Sequence, residues 1–188
     1  MPRLNNARDQ IIERARTLLT ERGFDGFSYR DISEHLGIKN AAIHYHFPSK
    51  TDLGLALVRD FAEEMGKQIQ KARATLAPKD QLEAYFAYET HYCAGLRLCP
   101  VGTFTTSWEG LTDDMRKALA EFWQGVVSWL AEVLEQGRRL GELTFIGEAA
   151  DKAQQLIATM SGARQQSRLE STNLVEKIAG QYRRELMH

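Results

Sequence analysis

Apolar side chains return at a helical period along most of the chain, and strand-like alternation is almost absent. That pattern predicts an all-α fold. Ile11, Ile12, Ala15, Leu18 and Leu19 make one stripe of a helix predicted from about Asn6 to Arg22 and closed by Gly23. Ser28 opens a second helix. "SYRD" has capping-box spacing, Ile32 and Leu36 face inward, and Gly37 ends the helix. "IKN" is a tight turn into a third helix, Asn40 to His46, which Pro48 stops. "SKTD" is a second capping box, and the helix it opens carries Leu53, Leu55, Leu57, Val58 and Phe61 to about Leu76. Further helices are predicted over about 80–97, 102–109, Thr112 to Gly137, 148–168 and Thr172 to Met187, about nine in all. A boundary near residue 50 divides the chain into an N-terminal three-helix domain, 1–50, and a helical domain, 51–188.

Helix, tight turn and a short polar helix make a helix-turn-helix, whose second helix enters the DNA major groove. Such a helix must lack acids, because phosphates repel carboxylates. From Ile38 to Lys50 there is no Asp or Glu, while Lys39, Asn40, Tyr45, His46 and Lys50 offer hydrogen bonds or charge. Ala41 and Ala42 permit close approach to base edges or a thymine methyl.

Composition adds little beyond this. The net charge is −1, so a purely electrostatic nucleic-acid binder is disfavoured, yet the charge is unevenly placed. Residues 1–50 hold eight Lys/Arg against six Asp/Glu, and the remainder sixteen against nineteen. Two cysteines, Cys93 and Cys99, provide neither a disulfide framework nor a metal-site spacing, so no cofactor or metal is expected. The residues before 20 lack a secretory pattern, and no apolar run approaches the roughly 20 residues of a bilayer span. A cytoplasmic protein without membrane contact is the expectation. An enzymatic alternative, a His91–Cys93 pair, suffers because residues two apart on a helix point away from each other.

The stretch "GFDGFSYRDISEHLGIKNAAIHYHFPSKTDLGLAL" resembles the N-terminal domain of the tetracycline-repressor-type (TetR) transcriptional regulators, from about Arg8 to Val58. The likeness rests on the Gly23–Phe24 turn, "DIS..LGI", "YHF" near the end of the recognition helix, and "PSK" before a leucine. It implies double-stranded DNA as partner and no catalysis. It places Tyr45, His46 and Lys50 at DNA, with Lys50 on phosphate, and Lys39, Asn40 and Ala41 facing bases. Ser28 and Arg30 would hold backbone phosphate or reach a base, with Tyr29 beside them, and Phe47 would be core. His44 stands where the family commonly has Tyr, and Ala42 where it usually has Ser or Thr, which leaves the His44 contact, to phosphate or in packing, open.

A single motif reads few base pairs, so a homodimer is expected. The predicted seventh helix is apolar around most of its circumference, with one polar stripe through Glu121, Gln124, Ser128, Glu132 and Glu135. Phe122, Val126, Trp129 and Val133, with Leu156 and Met160 of the eighth helix, are the expected interface, and "SGA" at 161–163 allows close approach. The resemblance also implies an unknown small-molecule effector among the central helices. Tyr85, Tyr88, Tyr92, Phe104, Trp108 and Trp123 are candidate lining residues. "RLCPVGTFTTSWEGLTDDMR" resembles a segment in the subset that includes the repressor of N-ethylmaleimide reductase, where a cysteine at the Cys99 position senses electrophiles. Thiol sensing through Cys99 is therefore the alternative to ordinary effector binding.

Overall fold

The computed structural model describes residues 6–94, 100–170 and 173–187. Among them are nine α-helices and no strand, the one pairing being an isolated bridge between Leu143 and Met187. No helix among the described residues is long and apolar enough to cross a membrane.

The first compact unit comprises Met1–Glu63 and Leu98–Ala120. Its α1 (Ala7–Arg22) starts where the Asn6 side chain accepts the Asp9 amide at 2.9 Å. The stripe from Ile11 to Leu19 is buried, and Gly23 closes the helix by donating its amide to the Leu19 carbonyl. In α2 (Tyr29–Leu36) the Asp31 carboxylate accepts both the amide and the hydroxyl of Ser28, at 2.8 and 2.7 Å. The Gly37 and Ile38 amides return to the Ser33 carbonyl and satisfy its end. α3 (Asn40–His46) ends because Phe47 precedes a proline and takes the extended conformation such a residue prefers. Ser49 then caps α4 (Lys50–Thr75) through a reciprocal box with Asp52.

The unit draws on more of the chain than residues 1–50. α4 gives it residues up to Glu63, and the chain returns to it with α6 (Pro100–Thr105), a 3-10 turn over Trp108–Gly110, and the start of α7 (Asp113–Leu140). α6 packs on α1, and Phe104 is buried 5.1 Å from Phe24, ring centroid to ring centroid. A Cβ on Gly54 would stand 2.6 Å from Met115 Cε and 2.9 Å from the Phe24 ring, so α4 passes this cluster closely only because residue 54 is glycine.

The second unit comprises Glu64–Arg97 and Glu121–His188. In it α5 (Pro78–Ala94), α8 (Ala149–Glu170) and α9 (Leu174–Leu186) pack together. Their core includes Phe86, stacked on Tyr182 at 6.3 Å, and Tyr85, edge-on to Trp129 at 6.4 Å. The indole of Trp129 donates to Gln81 Oε1 at 3.0 Å, which satisfies both buried polar groups. Arg164, buried on α8, forms an ion pair with Glu89 on α5. Burial pushes the Glu89 carboxyl up, against the pull of Arg164.

Candidate nucleic-acid interface

α2 and α3 meet at an apolar seam made by Ile32 and Ile43, both fully buried. With Ile43 inward, α3 turns Lys39, Asn40, Ala41, His44 and Tyr45 outward. Tyr45 is 83% exposed, the largest exposure of any large hydrophobic side chain among the described residues of this unit. His46 is half-buried, with its ring edge-on to Tyr45 at 5.1 Å.

The orientation of α3 is held from α2. Tyr29, expected among the DNA-facing residues, is buried instead. Its hydroxyl lies 2.8 Å from the Phe47 carbonyl and 2.5 Å from the Ser49 carbonyl, so its single proton is shared across the junction of α3 and α4. Burial, and next the negative charge of Asp52, push the Tyr29 phenol up to about 12. His44 sits edge-on to Tyr29 at 4.8 Å, with Nδ1 3.1 Å from the Pro48 carbonyl. A carbonyl only accepts, so Nδ1 is the donor in this contact. One edge of the His44 ring is thus occupied within the protein.

The other expected phosphate ligands have partners in the protein. The Ser28 hydroxyl donates to Asp31, whose carboxyl is held at about 2, first by that bond and then by the Ser28 amide, with Arg22 adding its charge. Arg30 pairs with Glu34 one turn on, at 2.6 Å, both well exposed. Lys50 is half-buried, its ammonium 4.9 Å from the Phe24 ring centroid and 4.8 Å from that of Phe27. Burial draws this ammonium below the ordinary lysine range, against the opposing pull of Asp25 and Asp31. Lys50 therefore closes the α1–α2 turn by cation–π contact. Phe47 is buried as expected, with the Arg8 guanidinium over its ring at 5.3 Å.

The expected effector residues are shared between the two units. Tyr85 and Tyr88 belong to the second unit, Tyr85 in its core. Phe104 and Trp108 belong to the first: Phe104 is consumed by packing on Phe24, and Trp108 is 43% exposed beneath the Arg116 guanidinium at 5.2 Å. Trp123 is 37% exposed on α7. Cys99 and the side chains of Tyr92 and Cys93 lie outside the described residues. Nor do the expected interface residues have surface to give. Leu156 and Met160 have no exposure in the single chain, and Val126, Trp129 and Val133 are nearly as enclosed. They are spent on the chain's own core, and only Phe122 is partly open.

Sequence reasoning missed the Phe24–Phe27 seat of Lys50 and the tie between Ser107 Oγ and Asp25 Oδ2, at 2.6 Å. Both join residues far apart in the chain. The only local hint was the pair of phenylalanines flanking the α1–α2 turn.

Two family models match the chain. "Bacterial regulatory proteins, tetR family" covers residues 11–57, spanning α2, α3 and their buried supports. "Tetracyclin repressor-like, C-terminal domain" covers residues 78–181. The transcriptional repressor NemR of Escherichia coli K12 is 26% identical over 172 residues, 88% of this chain and 85% of that protein. A TetR-family regulator from Agrobacterium tumefaciens is 30% identical in structural alignment, with a TM-score of 0.85 over 93% of this chain and 96% of its own. A TetR regulator from Legionella pneumophila is 25% identical with a TM-score of 0.84, over 94% and 95%. With an outward, acid-free third helix clamped by the second, and both halves matched, the chain belongs to the TetR family of bacterial transcriptional regulators.

Proposed function

We propose that the protein is a ligand-responsive repressor that binds a palindromic operator as a homodimer and is released by a small effector. One observation carries the DNA-reading part: α3 turns an acid-free surface outward, while Tyr29 is spent on the end of α3 and Lys50 on the α1–α2 turn. Lys39, Asn40, Ala41, His44 and Tyr45 are the residues assigned to DNA, His46 flanks them, and Arg30 reaches phosphate when it leaves Glu34.

The dimer is assigned to the outward stripe of α8 rather than to the residues first expected. Ala150, Gln154, Ala158, Gly162, Gln165 and Leu169 carry no charge, and Leu169 is 85% exposed. A Cβ on Gly162 would meet nothing within 4 Å, so packing within the chain does not require glycine there. A glycine inside a helix costs roughly 0.5–1 kcal/mol relative to alanine, and close approach of a second copy supplies a reason for it. The effector is assigned to the central helices, with Tyr88 of the second unit among its candidate lining residues. It acts by binding the operator-bound and released states unequally.

A second reading is favoured by one observation. α6, which follows Cys99 directly in sequence, packs on α1 through Phe104 and Phe24. Alkylation of Cys99 that displaced α6 would reach the DNA-reading unit without a bound effector.

The test is fluorescence anisotropy on a duplex selected in vitro from a random pool, with Tyr45→Ala and Asn40→Ala beside the parent. Both variants should lose affinity while keeping the parent's circular dichroism, and rising salt should weaken binding steeply. Unchanged affinity in both would remove the DNA-reading assignment. An alkylating agent that releases DNA from the parent and not from Cys99→Ser would favour the second reading.

A further inference from the structure

Resting on the operator-binding reading above, we infer that α3 reads the centre of each half-site through thymine methyl groups, so that A·T pairs with thymine facing α3 are its substrate class. The inference comes from which side chains stand furthest from the core. Ile43 is fully buried and fixes the inward direction of α3. At about 3.6 residues per turn, Ala41 and Tyr45 both fall roughly 20° from the direction opposite Ile43. Both are exposed, and they lie one turn apart on the same ridge. The crest of the reading helix is thus a methyl group followed by a phenol ring.

Apart from the Tyr45 hydroxyl at the tip of its ring, the hydrogen-bonding groups lie to the side. Asn40 is at the helix start, His44 has its Nδ1 edge at the Pro48 carbonyl, and His46 is half-buried against Tyr45. Between Lys39 and His46 there is no arginine, the side chain that most often reads guanine through two hydrogen bonds. Lys39, at the turn, is the only permanent cation of the stretch. In the major groove an apolar crest matches one base feature, the C5-methyl of thymine. A cytosine amino group or a guanine carbonyl set against Ala41 or the Tyr45 ring face would lose water and gain no hydrogen bond. The same crest that favours thymine therefore disfavours G·C at those positions.

Exchange of thymine for uracil deletes the methyl and leaves the pairing edge intact. The probe is the duplex selected from a random pool by the full-length protein, with uracil placed at one thymine at a time. Affinity is measured for the parent, Tyr45→Phe and Tyr45→Ala. At one or two central positions of each half-site, uracil should weaken the parent about fourfold, the worth of one methyl group taken out of water. Tyr45→Phe should keep both the affinity and the uracil effect, because the ring remains. Tyr45→Ala should lose affinity and become indifferent to uracil at the position its ring covers. A duplex that binds tightly with no uracil effect anywhere would overturn the methyl reading and leave operator binding standing. So would a Tyr45→Phe protein as weak as Tyr45→Ala, which would make the hydroxyl rather than the ring the reader. A pool that yields no enriched duplex would remove the operator-binding reading itself, and this one with it.

Discussion

The hydroxyl of Tyr29 reaches across from α2 to the carbonyl of Phe47, the residue that follows α3, at 2.8 Å. One phenol thereby fixes the end of the reading helix against its support. Tyr29→Phe keeps the ring and deletes this bond, leaving the buried carbonyl poorly satisfied. The expected cost is about 1–3 kcal/mol in chemical denaturation. DNA affinity should fall with it, although Tyr29 does not face outward.

The same residue gives a pH dependence. The Tyr29 phenol is raised from 10.0 to about 12, so the fold favours its neutral form. A raised pKa gives stability that is complete below the unfolded value and is lost as pH rises through the folded one. The parent should therefore lose its advantage over Tyr29→Phe between 10.0 and about 12, and the phenolate absorbance rise near the upper value should be missing from the variant. Asp31 supplies the acid counterpart. Its carboxyl is lowered from 3.8 to about 2, so the cap of α2 is intact above the upper value and fades toward the lower, a loss that Asp31→Asn should not show.

Lys50 separates a structural cation from a phosphate ligand. Its ammonium lies over Phe24 and Phe27, and Lys50→Met should weaken the α1–α2 turn by about 0.5–2 kcal/mol. The slope of log affinity against log salt should stay that of the parent. A slope shallower by about 0.9 per half-site would show that Lys50 leaves its rings to neutralise a phosphate.

The local grammar of the chain was legible, and its long-range partnerships were not. Both capping boxes, the Gly37 and Pro48 stops and the bounds of α3 follow from neighbours in sequence, and the structure has them where the spacing put them. Exposure on α3 followed from the same periodicity. The burial of Tyr29 did not, because its acceptors lie 18 and 20 residues on. A helix apolar on several sides announces burial without saying against what. Hence Trp129 and Val133 read as interface, whereas Gln81 and the core of the second unit claim them. Phe104 read as a pocket wall for the same reason. Its partner Phe24 is eighty residues earlier, beyond the reach of any helical period.

Glu89 and Arg164 are a pair of that hidden kind. Both are nearly enclosed, so removing one charge strands the other in a poorly polarisable interior. Glu89→Gln should destabilise the second unit by about 3–5 kcal/mol, and calorimetry should show it as a lower melting temperature.

The assembly claim is testable on an exposed residue. Ala158 lies on the uncharged stripe of α8 and takes no part in the chain's buried core. Ala158→Glu should leave helix content unchanged and shift the mass in light scattering from dimer to monomer. A variant that stays dimeric would move the interface elsewhere.

The most direct measurement sets a carboxylate on the crest of α3. Ala41 is exposed and is the second residue of its helix, where an acid suits the helix dipole, so Ala41→Asp should fold as the parent does. Its affinity for the selected duplex should fall roughly a hundredfold or more, since facing like charges costs several kcal/mol. Parent-like binding by a folded Ala41→Asp protein would mean that α3 does not enter the groove.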